Sequence, residues 1–374
     1  MNHIGGMAAD DWNALAGHHN PFLRHEFLLA LEESGCASEK TGWIPQHLLI
    51  EDDAGKPAAV APMYLKTHSY GEYVFDWAWA DAYQRAGLDY YPKLVSAVPF
   101  TPVTGARILT GESIRTQELT DTMAEAAKAL AREHGASSLH WLFVTETQVQ
   151  EFKKAGYLQR TGFQYHWQNR NYQDFEQFLQ DFSSAKRKKI RRERRFVYEQ
   201  GISMQIVTGN DATTNDWDRF YSFYRATILN HGAIAYLSRD FFQRIGETMS
   251  ANTVLVFAWH NNRPVAGALN LRGNDALFGR YWGSDGHHHS LHFETCYYTA
   301  IDYCIANGLS RFEAGAQGSH KLSRGFLPEP TYSAHWLQHP EFSDAIARYL
   351  QQEHDGIEYQ LNELNEHTPF RRQC

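Results

Sequence analysis

Residues 156–167 read GYLQRTGFQYHW, and residues 325–336 read GFLPEPTYSAHW. Both run glycine, aromatic residue, leucine, seven intervening residues and then His-Trp, a fixed spacing that marks an internal duplication. Working outward, the same order of elements precedes each copy. Residues 46–66 and 252–272 each form a strand pair, with Leu48, Ile50, Val60 and Met63 as the apolar positions of the first and turns at Asp52–Gly55 and Asn261-Asn262. An aromatic strand follows each pair, over 71–83 and 275–286. A helix comes next: 113–134, with Leu119, Met123, Ala126, Ala127 and Leu130 on one face, and 291–307, with Phe293, Cys296, Ala300, Ile301 and Cys304. Each helix stops at a glycine, Gly135 or Gly308, and a further strand follows, 137–144 or 309–316. Two similar α/β domains are expected, 1–172 and 173–374.

The bulk numbers agree with two domains. The chain has 374 residues, 43% apolar and 14% aromatic, more than one hydrophobic core usually serves. A net charge of −8 excludes a protein that coats nucleic acid over its whole face, so any polyanion contact is local. The four cysteines have neither C-x-x-C spacing nor the density of a disulfide scaffold. No leader pattern and no run of roughly 18 apolar residues is present. A cytoplasmic protein without a membrane span is expected, and the oligomeric state is left open.

Three stretches carry chemistry on their own residues. AKRKKIRRERRF, 185–196, reads as part of a helix over 183–200 with Phe182, Lys186, Ile190 and Val197 near one face. So many cations with Glu193 alone as internal partner call for an anion nearby; Arg187, Lys188, Arg191 and Arg194 are the candidates, against the alternative of a solvated face. In DGHHHSLHFE, 285–294, three consecutive histidines cannot all point inward, and His292 and Glu294 do not share a helix face, so no metal site is expected. Instead Ser290 is expected to cap the helix, with His292 and Glu294 as acid/base or amine-binding groups. Asp76, Trp77, Trp79 and Asp81 fall in one expected strand, whose carboxylates are candidates for binding an amino group of the acceptor, against the alternative of solvent exposure.

The order of hairpin, strand, helix, strand and final aromatic hairpin is that of the GNAT acyltransferase fold. With YYPKL (90–94), PFTPVTGAR (99–107), GRYWG (279–283), LHFETCYY (291–298), EAGAQGSHK (313–321) and RGFLP (324–328), the chain resembles the FemAB-like N-acyltransferases of peptidoglycan biosynthesis and recognition. The resemblance implies tandem GNAT domains, mixed and mostly antiparallel sheets flanked by helices, the first mainly binding the acceptor and the second catalytic. It also implies acyl transfer to an amine of an anionic acceptor, nucleotide-linked or a cell-wall precursor. Neither half carries the Q/R-x-x-G-x-G/A loop with which GNAT domains hold a CoA pyrophosphate. The resemblance to Fem transferases, which take an aminoacyl group from charged tRNA, implies aminoacyl-tRNA as donor, with acyl-CoA or acyl carrier protein the alternative, and no tightly bound cofactor is expected. A third reading is a non-catalytic fold that binds a phosphorylated ligand.

GAQGSHKLSRGF, 315–326, falls where GNAT strands splay apart. It gathers Gln317, His320, Lys321 and Arg324 beside Glu313, with Glu313 or His320 as base and Lys321, Arg324 or a backbone N–H to polarise the carbonyl. Arg280 and Trp282 on the aromatic strand, and Tyr332 and His335 in the closing repeat, are expected to edge the site. Lys93, Thr101, Thr104 and Arg107 stand where Fem transferases contact their acceptor.

Overall fold

The computed structural model describes residues 1–111, 117–230, 232–286, 288–316 and 318–371. Ser113, His287 and Gln317 lie outside the described residues. The first repeat supplies α1 (Ala9–Ala16), α2 (His25–Glu33), β1 (Trp43–Pro45), β2 (Leu48–Glu51), β3 (Pro57–Ala61), β4 (Tyr64–Lys66), α3 (Trp77–Arg85), β5 (Lys93–Ser96), α4 (Gln117–Glu133), β6 (Ser138–Val144), α5 (Glu146–Lys154) and β7 (Leu158–Gln168). The second supplies α6 (Phe175–Gln180), α7 (Ser184–Glu199), β8 (Ile202–Thr208), α8 (Thr214–Asn230), α9 (Arg239–Thr248), β9 (Thr253–His260), β10 (Arg263–Arg272), β11 (Ala276–Ser284), α10 (Leu291–Phe293), α11 (Thr299–Ala306), β12 (Arg311–Glu313), β13 (Leu327–Leu337) and α12 (Pro340–Glu366). The mixed α/β class, strands flanked by helices, is the one expected.

One unit comprises residues 1–163 with 330–361, the other 164–329 with the tail from 362. In the first, the strand order is β1-β4-β5-β6-β13, with β5 and β6 parallel and the β2–β3 hairpin beside them. The alanine-rich face of α4 (Ala124, Ala127, Ala131) lets the helix lie close on Leu94, Leu139 and Trp141. In the second, β7 leads β12-β11-β10-β9-β8, antiparallel except for β11 with β12. The units differ from contiguous halves divided at 172 because each repeat's His-Trp strand finishes in the other sheet. His335 and Trp336 pair with His140 and Leu139 of β6, while His166 and Trp167 pair with Glu313 and Phe312 of β12.

The aromatic strand expected over 71–83 is not a strand. Residues 77–85 are α3, and Asp76 stands at its N-terminus. Trp79 and Tyr83, one helical turn apart, bury together against Tyr90, Leu337, Ile346 and Leu350, leaving Trp77 43% exposed. Burying each large side chain is worth about 1.5–3 kcal/mol, which outweighs the weak strand preference of alternating Trp and Ala. Asp81 consequently pairs with Arg85 on the helix surface.

Candidate active site

The site in the second unit grows from an irregularity in β11. Register with β10 slips between Leu269 and Asn270, so that Leu269 faces Tyr281 and Asn270 faces Gly279, passing over Arg280. A bulge of this kind re-aims a side chain and opens the ladder locally. On its other side β11 pairs with β12 only as far as Phe278 with Glu313, although β11 itself runs on to Ser284. Between these two departures lies a cavity of about 80 Å³ whose wall includes Asn270, Arg280, Trp282, His292, Cys296 and Tyr297.

The helix after β11 completes it. Residues 294–298 form a π-helical turn, a widening that recurs at functional sites, and it brings Cys296 and Tyr297 to the same wall as His292. The Tyr297 hydroxyl lies 3.0 Å from His320 Nε2, and the His292 ring stands edge-on to Trp282 and Tyr297. His320 and Lys321 belong to a short 3-10 stretch over 319–324. Lys321, 2% exposed, donates from Nζ to the Gly315 carbonyl at 2.8 Å. Arg324 donates to the His320 carbonyl at 2.9 Å, stacks over Phe293 and holds both oxygens of Glu193 at 2.9 and 3.0 Å. Burial, with His320, Lys321 and Arg324 adding positive charge, pulls His292 down to about 4. Burial, with Arg280 nearby, pulls Lys321 down to about 8. His320 is lowered by burial and the same cations. At neutral pH the pocket therefore holds neutral imidazoles able to accept protons and a lysine that keeps its charge.

Of the expected site residues, the structure brings His292, His320, Lys321, Arg324, Arg280 and Trp282 together. Tyr297 and Cys296 join them although the sequence did not single them out; their position in LHFETCYY next to His292 was the available signal. Glu294 turns away: fully buried, it accepts from Arg194 at 3.0 Å and from the Tyr198 hydroxyl at 3.0 Å, and burial holds it above the usual carboxylate range. Glu313 is buried on β12 with Arg311 at 2.9 Å and His166 at 3.8 Å. Ser290 makes no side-chain cap; its hydroxyl meets His289 instead. No group of metal-ligating residues occurs among the described residues.

The α7 candidates divide by face. Ile190, Glu193 and Val197 are buried, and Lys186, expected on that side, is exposed. Arg194 is spent on Glu294 and Asp302, and Arg191 on Glu176. Lys186, Arg187, Lys188 and Arg192 form no ion pair among the described residues.

Tyr332 and His335 belong to the first unit and are not in the cavity wall: His335 Nδ1 lies 2.7 Å from His140 Nδ1. There Lys93, fully buried, joins Asp76, Glu72 at 2.8 Å and Ser69 at 2.8 Å, and Tyr90 donates to Asp76 at 2.6 Å. Asp76 falls to about 2 despite burial because Lys93 and His140 stand beside it. Thr101 donates to the Pro99 carbonyl, and Arg107 is wrapped by the carbonyls of Val103, Gly105 and Ala106, its burial pulling it down to about 9. Thr104 is half-buried, its carbonyl accepting from Asn20. These first-unit residues are thus held by one another and by backbone.

A family model for peptidoglycan biosynthesis/recognition matches residues 3–372. The chain belongs to the FemAB-like family. As a FemAB-like protein it is an acyl- or aminoacyltransferase. Comparison with curated protein sequences finds no match. Among solved structures this FemAB-like chain is similar to FemX, with a TM-score of 0.56 at 11% identity over 91% of this chain and 98% of that one. It is also similar to the C-terminal domain (DUF2156) of a protein assigned as a lysylphosphatidylglycerol synthetase from Agrobacterium fabrum, with a TM-score of 0.57 at 9% identity over 90% and 94%. For L-PGS from Bacillus licheniformis the values are 0.51, 10%, 90% and 98%. At such identities the likeness is one of fold. No helix among the described residues is long and apolar enough to cross a membrane.

Proposed function

We propose that the second unit transfers an acyl group, aminoacyl groups included, onto an amine of an anionic acceptor, with charged tRNA as donor. The observation that carries this reading is the cavity at the β10–β11 slip, walled by a neutral His292 and by a Tyr297 hydroxyl bonded to His320. The amine nitrogen attacks the acyl carbon and passes its proton to His292. As the bond to the donor oxygen breaks, that oxygen takes the Tyr297 proton, which His320 replaces from solvent. Lys321, charged and behind the wall, stabilises the negative oxygen that develops on the carbonyl. The cations of α7 without ion pairs suit a polyanionic donor. The carboxylate-free wall does not suit a cationic side chain such as lysyl.

The test is product detection by mass spectrometry with aminoacyl-tRNA, with and without ribonuclease, and with acyl-CoA. Transfer is expected to vanish on ribonuclease treatment and to fall about 10²-fold or more in His292→Gln, the usual worth of a positioned acid–base group. Transfer from acyl-CoA alone replaces the donor assignment. Undiminished transfer in both His292→Gln and Tyr297→Phe defeats the site, and no transfer from any donor favours a binding protein for a phosphorylated ligand.

A further inference from the structure

In the second unit's sheet the last strand is β8, paired with β9. Ser203 stands opposite Trp259 across this ladder and Gln205 two residues further along β8, so the three side chains share one face of the sheet. Phe257, opposite Gln205, is buried, whereas Trp259 is half-buried and Ser203 and Gln205 are exposed. The turn from β9 into β10 is Asn261-Asn262, both left-handed at φ 50° and 58°, which fixes where the two exposed amides leave the backbone. Ser203, Gln205, Trp259, Asn261 and Asn262, with Gly201, which adds no side chain, line a cavity of about 370 Å³.

None of the described residues lining this cavity is charged. The hydroxyl of Ser203 and the amides of Gln205, Asn261 and Asn262 make no hydrogen bond to the protein among the described residues. Trp259 has its indole N–H buried and its backbone paired on both sides, so what it shows to the cavity is ring carbon. Arg219 of α8 stands over that ring, 5.7 Å from its centroid, and is paired with Asp216 at 3.4 Å. We infer that this cavity binds a neutral sugar ring, with Trp259 against its C–H face and Ser203, Gln205, Asn261 and Asn262 on its hydroxyls. Amides and hydroxyls both donate and accept, as sugar hydroxyls do. A charged ligand finds no counter-charge in the lining, and an apolar one strips water from four polar side chains without replacing it. The volume falls in the range of ligand sites, roughly 300–1,000 Å³. Strand and turn hold the contact groups before binding, which lowers the cost of ordering them. None of this depends on the transferase reading.

Saturation-transfer NMR of the whole protein with glucose, galactose and N-acetylglucosamine tests the site, with the open-chain polyol sorbitol as control. At least one of the three sugars is expected to receive saturation on its ring C–H protons and to bind with a Kd in about the millimolar range. Sorbitol, which has the hydroxyls but no ring face, is expected not to. Trp259→Ala is expected to weaken sugar binding about tenfold or more, and Gln205→Ala and Asn262→Gly about three- to tenfold each. Gln205 is exposed and glycine keeps the left-handed turn at 262, so these two variants decide if Trp259→Ala does not fold. Tighter binding of chitotetraose than of UDP-N-acetylglucosamine assigns the sugar to a glycan chain, and the reverse to a nucleotide-linked sugar. Binding of all three sugars no stronger than that of sorbitol, or binding that every variant leaves unchanged, overturns the inference. Preference for a neutral tetrapeptide also overturns it and assigns the edge of β8 to an added peptide strand.

Discussion

Lys321 and Arg194 show how a charged residue's role follows from what surrounds it. Lys321 is buried without a carboxylate, so its proton is lost early. As pH rises through about 8 the site gives up that positive charge, whereas an ordinary lysine keeps it for about two further units. Transfer is therefore expected to decline above about pH 8 in the wild type, and the pH profile of Lys321→Met to lack that limb while starting from a lower plateau. Arg194 is the opposite case: it neutralises Glu294 and Asp302. Arg194→Met leaves Glu294 buried and uncompensated and should cost about 3–5 kcal/mol in urea denaturation. Arg192→Gln, exposed on the same helix, should stay within about 0.5 kcal/mol. The sequence placed both arginines in one cationic run; it could not separate them, because the partners lie about a hundred residues further along the chain.

At the scale of the element, α7 was legible and α3 was not. The α7 boundaries expected at 183–200 meet the observed Ser184–Glu199, since a 3.6-residue stripe ending near Gly201 leaves little else for the segment to be. In α3 the alternation of tryptophan and alanine imitates a strand, and only burial of Trp79 and Tyr83 on the same side reveals the helix. Having an inner face tied through Glu193 to Arg324 and Tyr298, α7 can present Lys186, Arg187, Lys188 and Arg192 to a ligand without disturbing its own packing. Replacing Arg187, Lys188 and Arg192 together by glutamine is expected to leave the melting temperature nearly unchanged. The same variant should lower the slope of log affinity for tRNA against log salt by about two to three, roughly one for each phosphate no longer neutralised. Filter binding across salt concentrations reads this, and an unchanged slope assigns those cations to solvent.

Across the whole molecule, the duplication could be read from two spaced glycines and two His-Trp pairs, but not the destination of the strands that carry them. Periodicity specifies that a segment is a strand; it does not specify its neighbour, because the partner lies far away in sequence. In the structure β13 lies against β6, and Leu337, Ile346 and Leu350 close the first unit's satellite core. A chain ending at residue 329 therefore removes part of the unit that begins at residue 1. Three large apolar side chains at about 1.5–3 kcal/mol each approach the whole stability of a domain, about 5–15 kcal/mol. In such a truncated chain, hydrogen exchange read by mass spectrometry is expected to show amides of β5 and β6 losing protection while those of β9, β10 and β11 keep it. Folding by contiguous halves demands the reverse: loss confined to the second half, where the deleted residues lie in sequence, and full protection of β6.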